Sequence, residues 1–332
     1  MVRVVAIAAC VLAGCYSARA FPGAPCASDG ECPSGLTCIA DQCDLPGSGS
    51  PADGPSRESD SGDVDVTADA QGPPGPNGWY APTAVPGVNT SATETDPSFT
   101  DDDLTIVFTS DRAGGTGGLD LYIGTRASVT EPFTVRELTE LNSTATDQSP
   151  EISTDGLTIY FSTTRGGANA LIYSATRAST TAVFGAPAEV AGLSKNMSGN
   201  VQNSIQIGVG SPLTAMVIQV KSTAMNEADG FGRNAITDSW ADQEDLMTAG
   251  GTPLPTDITA PSLTPDNTII YFQSGTPAQI YMTTYTDASD AFTTPVAITE
   301  LNTGTHNAAP EINAGASHIV FERDGDLFEA TK

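Results

Sequence analysis

Apolar and polar residues alternate in short runs along most of the chain, and one run keeps returning. Residues 150–165 read PEISTDGLTIYFSTTR, where Ile159 and Phe161 alternate with Thr158 and Tyr160, the period of a β-strand. The run recurs as PSFTDDDLTIVFTSDR at 97–112, PSLTPDNTIIYF at 261–272 and PEINAGASHIVF at 310–321. In each, a Pro leads and a Phe follows eleven residues later. Each run reads as a β-hairpin: a short first strand, a two-residue turn and a second strand. The turn pairs are Asp102-Asp103, Asp155-Gly156, Asp266-Asn267 and Gly315-Ala316, residues that tolerate positive φ. The leading Pro is expected at the first residue of its strand, where no ladder donor is lost.

A third strand follows each hairpin: DLYIGT at 120–125, LIYSA at 171–175, QIYMT at 279–283 and DLFEA at 326–330. A fourth, outer strand opens on an aromatic residue and continues with alternating apolar positions. It reads FTVRELTELN at 133–142, FGAPAEVAGL at 184–193 and FTTPVAITELN at 292–302. The same pattern stands at the front of the domain as Trp79 with Val85, Val88 and Asn89, whereas the chain stops after a third strand. The strand at 79–90 can therefore complete the last sheet and close a ring. No single hairpin can bury its apolar face, and repetition at about fifty residues marks propellers and solenoids. Only a ring gains from the displaced strand, because closure removes an open edge. The expected fold class is all-β, a β-propeller of four-stranded blades. The leading Pro residues leave one double-length gap, filled by a degenerate unit in which Ile205, Ile207 and Val209 alternate, as do Leu213, Ala215 and Val217. Trp240 would open its outer strand. That makes five blades; the long connection at 222–258 leaves six as the second count.

These runs resemble the TolB-type (WD40-like) propeller repeat of bacterial envelope proteins. Its pattern is P-x-[IF]-[ST]-x-D-G-x-x-[IV]-x-F-[ST], then S-x-R and a D-[IL]-Y strand. Ser110-Asp111-Arg112 with Asp120-Leu121-Tyr122, and Thr164-Arg165 with Ile172-Tyr173, carry the likeness, which covers about 79–332. The resemblance implies the propeller and leaves the function open, because such repeats serve binding, assembly and peptidase-accessory roles.

The segment before residue 79 has another character. Arg3 followed by the apolar run 4–11 reads as a signal peptide, too short to span a bilayer. Leu12-Ala13-Gly14-Cys15 resembles the bacterial lipobox, which implies cleavage between Gly14 and Cys15, acylation of Cys15 and, with Tyr16 following, sorting to the outer membrane. An ordinary signal cleaved near 18–20 is the rival. Cys26, Cys32, Cys38 and Cys43 read as two disulfides in an exported chain. Three connectivities are open, of which Cys26–Cys38 with Cys32–Cys43 is favoured. A four-thiolate zinc site is the alternative. Residues 46–78, rich in Pro, Gly, Ser and Asp, cannot bury enough apolar surface to order themselves and read as a tether. The expected division is 1–14 signal, 15–45 lipidated four-Cys patch, 46–78 linker and 79–332 propeller.

Charge narrows the partners. The 332 residues carry 13 Lys+Arg against 40 Asp+Glu, a net charge of −27, which argues against nucleic acid. No nucleophile elbow, HExxH or P-loop is present, and no cofactor or metal is expected, although a calcium ion at Asp101–Asp103 is a rival reading. The loop face where inner strands begin is the expected binding face, gathering Asp96, Asp147, His306 and Asn307 with Arg112, Arg165 and Arg323. The three Arg residues occupy equivalent places after a second strand. They could recognise an anion, but a structural bridge to an Asp of the neighbouring blade is the favoured role. His318 lies in a strand. The functional expectation is a monomeric, non-catalytic binding or scaffold module for an envelope protein or the cell wall. The alternative is a glycoside-processing enzyme using Asp96, Asp147, Glu151 or Glu311 at the central channel.

Overall fold

The computed structural model describes residues 72–167, 170–190, 259–264, 268–285, 292–313 and 315–332 with their side chains, and the remaining assigned strands as backbone. The chain divides into two compact units, Met1–Asp65 and Val66–Lys332. The first unit contains a three-stranded antiparallel sheet of β1 (Ala24–Pro25), β2 (Thr37–Ile39) and β3 (Gln42–Asp44). Its backbone register sets Cys38 opposite Cys43. The expected signal, Gly14, Cys15, most of the linker and the four cysteine side chains lie outside the described residues.

The second unit is an all-β propeller. Strands β5 (Glu94–Phe99), β6 (Thr105–Ser110), β7 (Asp120–Thr125) and β8 (Thr134–Glu137) pair in order, innermost to outermost. Strands β9 (Asp147–Ile152), β10 (Thr158–Thr163), β11 (Leu171–Thr176) and β12 (Ala188–Glu189) repeat the arrangement. So do β13 (Val201–Gly208), β14 (Ala215–Lys221), β15 (Asn226–Gly232) and β16 (Ala241–Asp242). Next come β17 (Thr259–Leu263), β18 (Ile269–Ser274) and β19 (Gln279–Thr286), whose outer partner is split into β20 (Ala291–Phe292) and β21 (Val296–Ala297). Pro295, which has no ladder donor, falls in the break, so this sheet has five strands rather than the expected four. In the last sheet β22 (Asn307–Ile312), β23 (His318–Arg323) and β24 (Asp326–Thr331) are joined at the edge by β4 (Thr83–Ala84), with Ala84 opposite Phe328 and Thr83 opposite Glu329. The innermost strands touch in succession, β5 to β9, β9 to β13, β13 to β17, β17 to β22, and β22 to β5.

Alternation along the strands divides the side chains between two neighbouring sheets. Val107, Leu121 and Ile123 pack on Ile152, Ile159 and Phe161 of the following sheet. Ile106, Phe108 and Tyr122, from the other face, pack on Val320 and Leu327 of the last sheet. Tyr160, on the face expected to be polar, is 5% exposed for the same reason. Both faces of a blade are buried, so the inner strands read as nearly continuous buried runs.

The hairpins depart from expectation in two ways. Four residues, not two, span each turn. The amides of Thr100, Ser153, Thr264 and Asn313 donate to the carbonyls of Thr105, Thr158, Ile269 and His318. The side chain of the first residue accepts in return from the amide of the last, at 3.1 Å in Thr100, 2.9 Å in Ser153, 3.1 Å in Thr264 and 3.0 Å in Asn313. Asp102 and Asp155 each accept the preceding hydroxyl at 2.6 Å. Such loops need one left-handed residue, and in three turns it is the second of the expected pair, Asp103 (φ 56°), Gly156 (φ 69°) and Ala316 (φ 51°); Asp266-Asn267 lies outside the described residues.

The leading Pro residues do not open their strands either. They sit mid-strand at a bulge. Asp96, Ser149, Ala260 and Ala309, each just before its Pro, have φ of 49°, 50°, 45° and 44°. The ladder slips by one residue there, between Thr95 and Ser98 in β5 and at the matching places in β9, β17 and β22. A bulge leaves residues unpaired, so the missing Pro donor costs nothing.

The outer strands are shorter than the sequence suggests, two to four residues in β4, β8 and β12, as suits an exposed edge rich in Pro. Within the stretch 222–258, expected to be a connection or to hold a sixth blade, β15 supplies the third strand of the degenerate unit, and β16 lies directly after Trp240, where its outer strand was expected.

The turn geometry predicts opposite outcomes for two small substitutions. Gly156→Ala forces a Cβ into a left-handed residue, 3.2 Å from Arg177 and Thr100 atoms, and is expected to cost about 1 kcal/mol or more in urea unfolding. Ala316→Gly removes a Cβ from the same conformation and is expected to stabilise by up to about 1 kcal/mol.

Candidate functional site

The polar residues at the start of the inner strands are organised by three arginines. Arg112 follows β6, and its guanidinium donates to Glu94 Oε1 (3.0 Å), Ser110 Oγ (3.2 Å) and the carbonyl of Val88 (3.0 Å). Arg165 follows β10 and donates to Asp147 Oδ1 (2.6 Å), Thr163 Oγ1 (3.0 Å) and the carbonyl of Leu141. Arg323 ends β23 and donates to Asn307 Oδ1 (3.1 Å) and the carbonyl of Leu301 (3.0 Å). Each guanidinium also lies over two rings: Phe108 and Tyr122, Phe161 and Tyr173, Phe321 and Phe328. The acidic partners belong to the same sheet as their arginine, not to a neighbouring blade. The side chains of Glu94 and Asp147 are 0% exposed, so the pairing supplies the charge compensation that burial demands.

The residue after each of those carbonyls is an Asn, and it clamps a third strand. Asn89 accepts from the amide of Leu327 and donates to its carbonyl; Asn142 does so with Leu121, and Asn302 with Ile280. At the opposite end of the four sheets with described side chains, a second repeated contact covers the aromatic residue that precedes or opens the outer strand. Arg126 lies 4.3 Å over Phe133, Arg177 4.6 Å over Phe184, and Lys332 4.8 Å over Trp79. Tyr285 stands edge-on to Phe292 at 5.5 Å in the same role.

Asp96 is set apart from these clips. It lies on the bulge of β5, and its carboxylate accepts from Ser149 Oγ (3.2 Å) and Thr109 Oγ1 (3.5 Å). Ser149 donates its amide to Thr109 Oγ1 (3.0 Å), joining β9 to β6. Glu322 of the last sheet accepts from Thr95 Oγ1 at 2.9 Å, and His306 Nε2 stands 3.9 Å from its Oε1. Loss of hydration, and then the neighbouring Glu322 charge, push the Asp96 carboxyl up to about 6. Two carboxylates beside one another, one of them holding its proton unusually well, can exchange a proton with a ligand or receive a cation. On the loops that lead into β5 and join β23 to β24, a recess of about 370 Å³ is lined by Thr90, Thr93, Asp111, Asp324 and Asp326.

Of the residues expected to form one face, the structure pairs Arg165 with Asp147 and Arg323 with Asn307. Arg112 is joined to Glu94, which was not among them, and His306 approaches Glu322. Glu151 and Glu311, on β9 and β22, are 1% and 4% exposed, and Glu311 accepts from Ser262 Oγ at 2.8 Å. Glu94, Glu322 and the three Asn clamps escaped sequence reasoning. Glu94 carried a signal, since it stands three residues before its Pro, as Asp147 and Asn307 do. Asp102 and Asp103 are engaged by Thr100 and His318. Among the described residues no group of three or more His, Cys, Asp or Glu is placed to hold a metal ion.

Two predictions follow from these environments. Arg165→Met leaves Asp147 buried without its charge partner and is expected to cost about 3 kcal/mol in urea unfolding. Arg136→Met, at an exposed pair with Glu140, should change stability by less than about 1 kcal/mol. Asp96 behaves oppositely. Its folded pKa lies above the ordinary value, so the unfolded chain releases this proton first and stability falls as pH rises from about 4 to about 6. Asp96→Asn is expected to raise stability at pH 7 by up to about 3 kcal/mol, with the gain vanishing below pH 4.

No family model matches the chain, and neither does any curated protein. Similar solved structures include the alpha-L-arabinofuranosidase PaAbf62A from Podospora anserina, 11% identical with a TM-score of 0.49 over 75% of this chain and 94% of that one. A putative TolB from Agrobacterium tumefaciens is 15% identical with a TM-score of 0.42, covering 70% of each chain. Arabinanase Arb43A from Bacillus subtilis is 10% identical with a TM-score of 0.48, over 73% of this chain and 94% of that one. At these identities the likeness is one of fold alone.

Proposed function

We propose that the chain is a monomeric lipoprotein of the bacterial outer membrane, anchored through Cys15. In this reading a TolB-type propeller of five blades, closed by the strand at 79–90, serves as a non-catalytic binding or scaffold module for an envelope protein or the cell wall. The succession of inner-strand contacts and the pairing of β4 with β24 support the blade count and the closure.

One observation carries the functional reading. The arginines and their acidic partners are spent on the framework, while Asp96 and Glu322 form a carboxylate pair outside it. Keeping Asp96 charged there lowers stability at neutral pH, the mark of a residue retained for something other than folding. A recess rimmed by Asp111, Asp324 and Asp326 suits cationic groups of a partner, such as Lys side chains or free amines.

The same pair favours the second reading. A carboxyl that titrates near 6 is suited to donate a proton at neutral pH, as a glycoside-processing enzyme requires of its general acid.

Pull-down from crosslinked envelopes separates the two. The binding reading expects one partner enriched by the native chain and lost with Asp96→Asn/Glu322→Gln. Turnover of a glycan by the native chain, abolished by Asp96→Asn and unaccompanied by a captured partner, would replace it with the enzyme. The anchor is tested apart from either: Cys15→Ser is expected to move the protein from the membrane to the soluble fraction, and unchanged fractionation would contradict it.

A further inference from the structure

At the turn end of the blades, the first and last sheets meet across a group that the repeat does not explain. His318 opens β23 and is 8% exposed. Its Nδ1 lies 2.9 Å from Oδ1 of Asp103, in the turn between β5 and β6. Its Nε2 lies 3.1 Å from Oε2 of Glu329, on β24. The ring is tilted against Phe99 of β5, centroids 5.1 Å apart. A neutral imidazole has one N–H and one lone pair, so it can donate to only one of two carboxylates. Contact with a carboxylate at both nitrogens is the geometry of the imidazolium.

None of the three groups is dictated by the repeat. Where the last sheet has His318, the other described hairpins have Thr105, Thr158 and Ile269. Gly156 and Ala316 stand in their turns where the first sheet has Asp103. Ile123, Ser174 and Met282 occupy the register position of Glu329. Among the described residues this acid–base–acid bridge lies where the turn of the first sheet meets β23 and β24 of the last.

We propose that His318 is a proton-controlled latch on this seam. Protonated, it ties the first sheet's turn to the last sheet's β23 and β24. Deprotonated, it sets a nitrogen lone pair against one carboxylate, and the seam loosens. The remaining charged groups facing it are Arg126, whose Nε donates to the Asp103 carbonyl at 2.8 Å, and Lys332. Both line the same recess of about 480 Å³, with Asn313 and Ser317, which gives protons and water a route to the ring. Burial opposes the charge, but the bonds to Asp103 and Glu329 and their attraction outweigh it and push the imidazolium up to about 9. A raised base stabilises fully below the unfolded value near 6.5 and ceases to do so as pH rises through about 9.

The test is an imidazole NMR titration of the full chain, with His306→Gln to assign the signals. His318 is expected to titrate above about 8 and to move toward 6.5 in Asp103→Asn/Glu329→Gln. A native value near 6.5 overturns the proposal. Urea unfolding at pH 6 and pH 10 provides the second arm. The native chain should lose about 200-fold more in its folding equilibrium over this range than His318→Gln does. Equal losses would also overturn it.

Discussion

The structure depends on a pairing between residues far apart in the chain, β4 against β24. A β-sheet with an open edge offers unpaired donors and acceptors to any passing strand, and the last sheet would have such an edge on β24. Instead the amides of Tyr80 and Val85 donate to the carbonyls of Thr331 and Leu327, Asn89 clamps Leu327, and Lys332 lies over Trp79. Each contact has counterparts inside other sheets. Asn142 and Asn302 clamp Leu121 and Ile280, and Arg126 and Arg177 cover Phe133 and Phe184. The segment around β4 thus meets β24 with the same side-chain chemistry that outer segments use in other sheets.

That framework explains why so few charged residues at the inner-strand face are available for chemistry. Repetition requires each sheet to be joined to the segment that leads into it, and Arg112, Arg165 and Arg323 do this by binding an inner strand and an incoming carbonyl with one guanidinium. A planar group with several fixed donors is suited to the task, and two neighbouring rings pack against it. The places where the repeat is broken then stand out. Asp96 occupies a bulge position that holds Ser149, Ala260 and Ala309 in other sheets, and His318 stands where its counterparts are Thr or Ile. In a repeat protein, departures of this kind separate what the architecture needs from what it does not.

Much of this was legible beforehand. Strand order and the aromatic residue that precedes or opens the described outer strands follow from recurrence in the sequence, because burial on two faces imposes the same residue types each time. The register near each Pro was not legible. A bulge shifts every later side chain by one position, and the expected face included Asp96, one residue before its Pro, where alignment with Asp147 and Asn307, three residues before theirs, picks Glu94. The clamping role of Asn89, Asn142 and Asn302 was hidden because an Asn before a loop reads equally well as turn chemistry. The Asp96–Glu322 approach and the His318 bridge join residues more than two hundred positions apart, and neither has a local pattern. The third strand of the degenerate unit was missed since Asn226–Gly232 is too polar to show an apolar alternation.

The most direct test of the account is amide hydrogen exchange, read by mass spectrometry, at Tyr80 and Val85 in the full chain. If the front of the domain completes the last sheet, these amides should exchange orders of magnitude more slowly than an unstructured peptide, in step with Leu327 across the pair. Exchange at the rate of an unprotected peptide, while β22 and β23 remain protected, would contradict it.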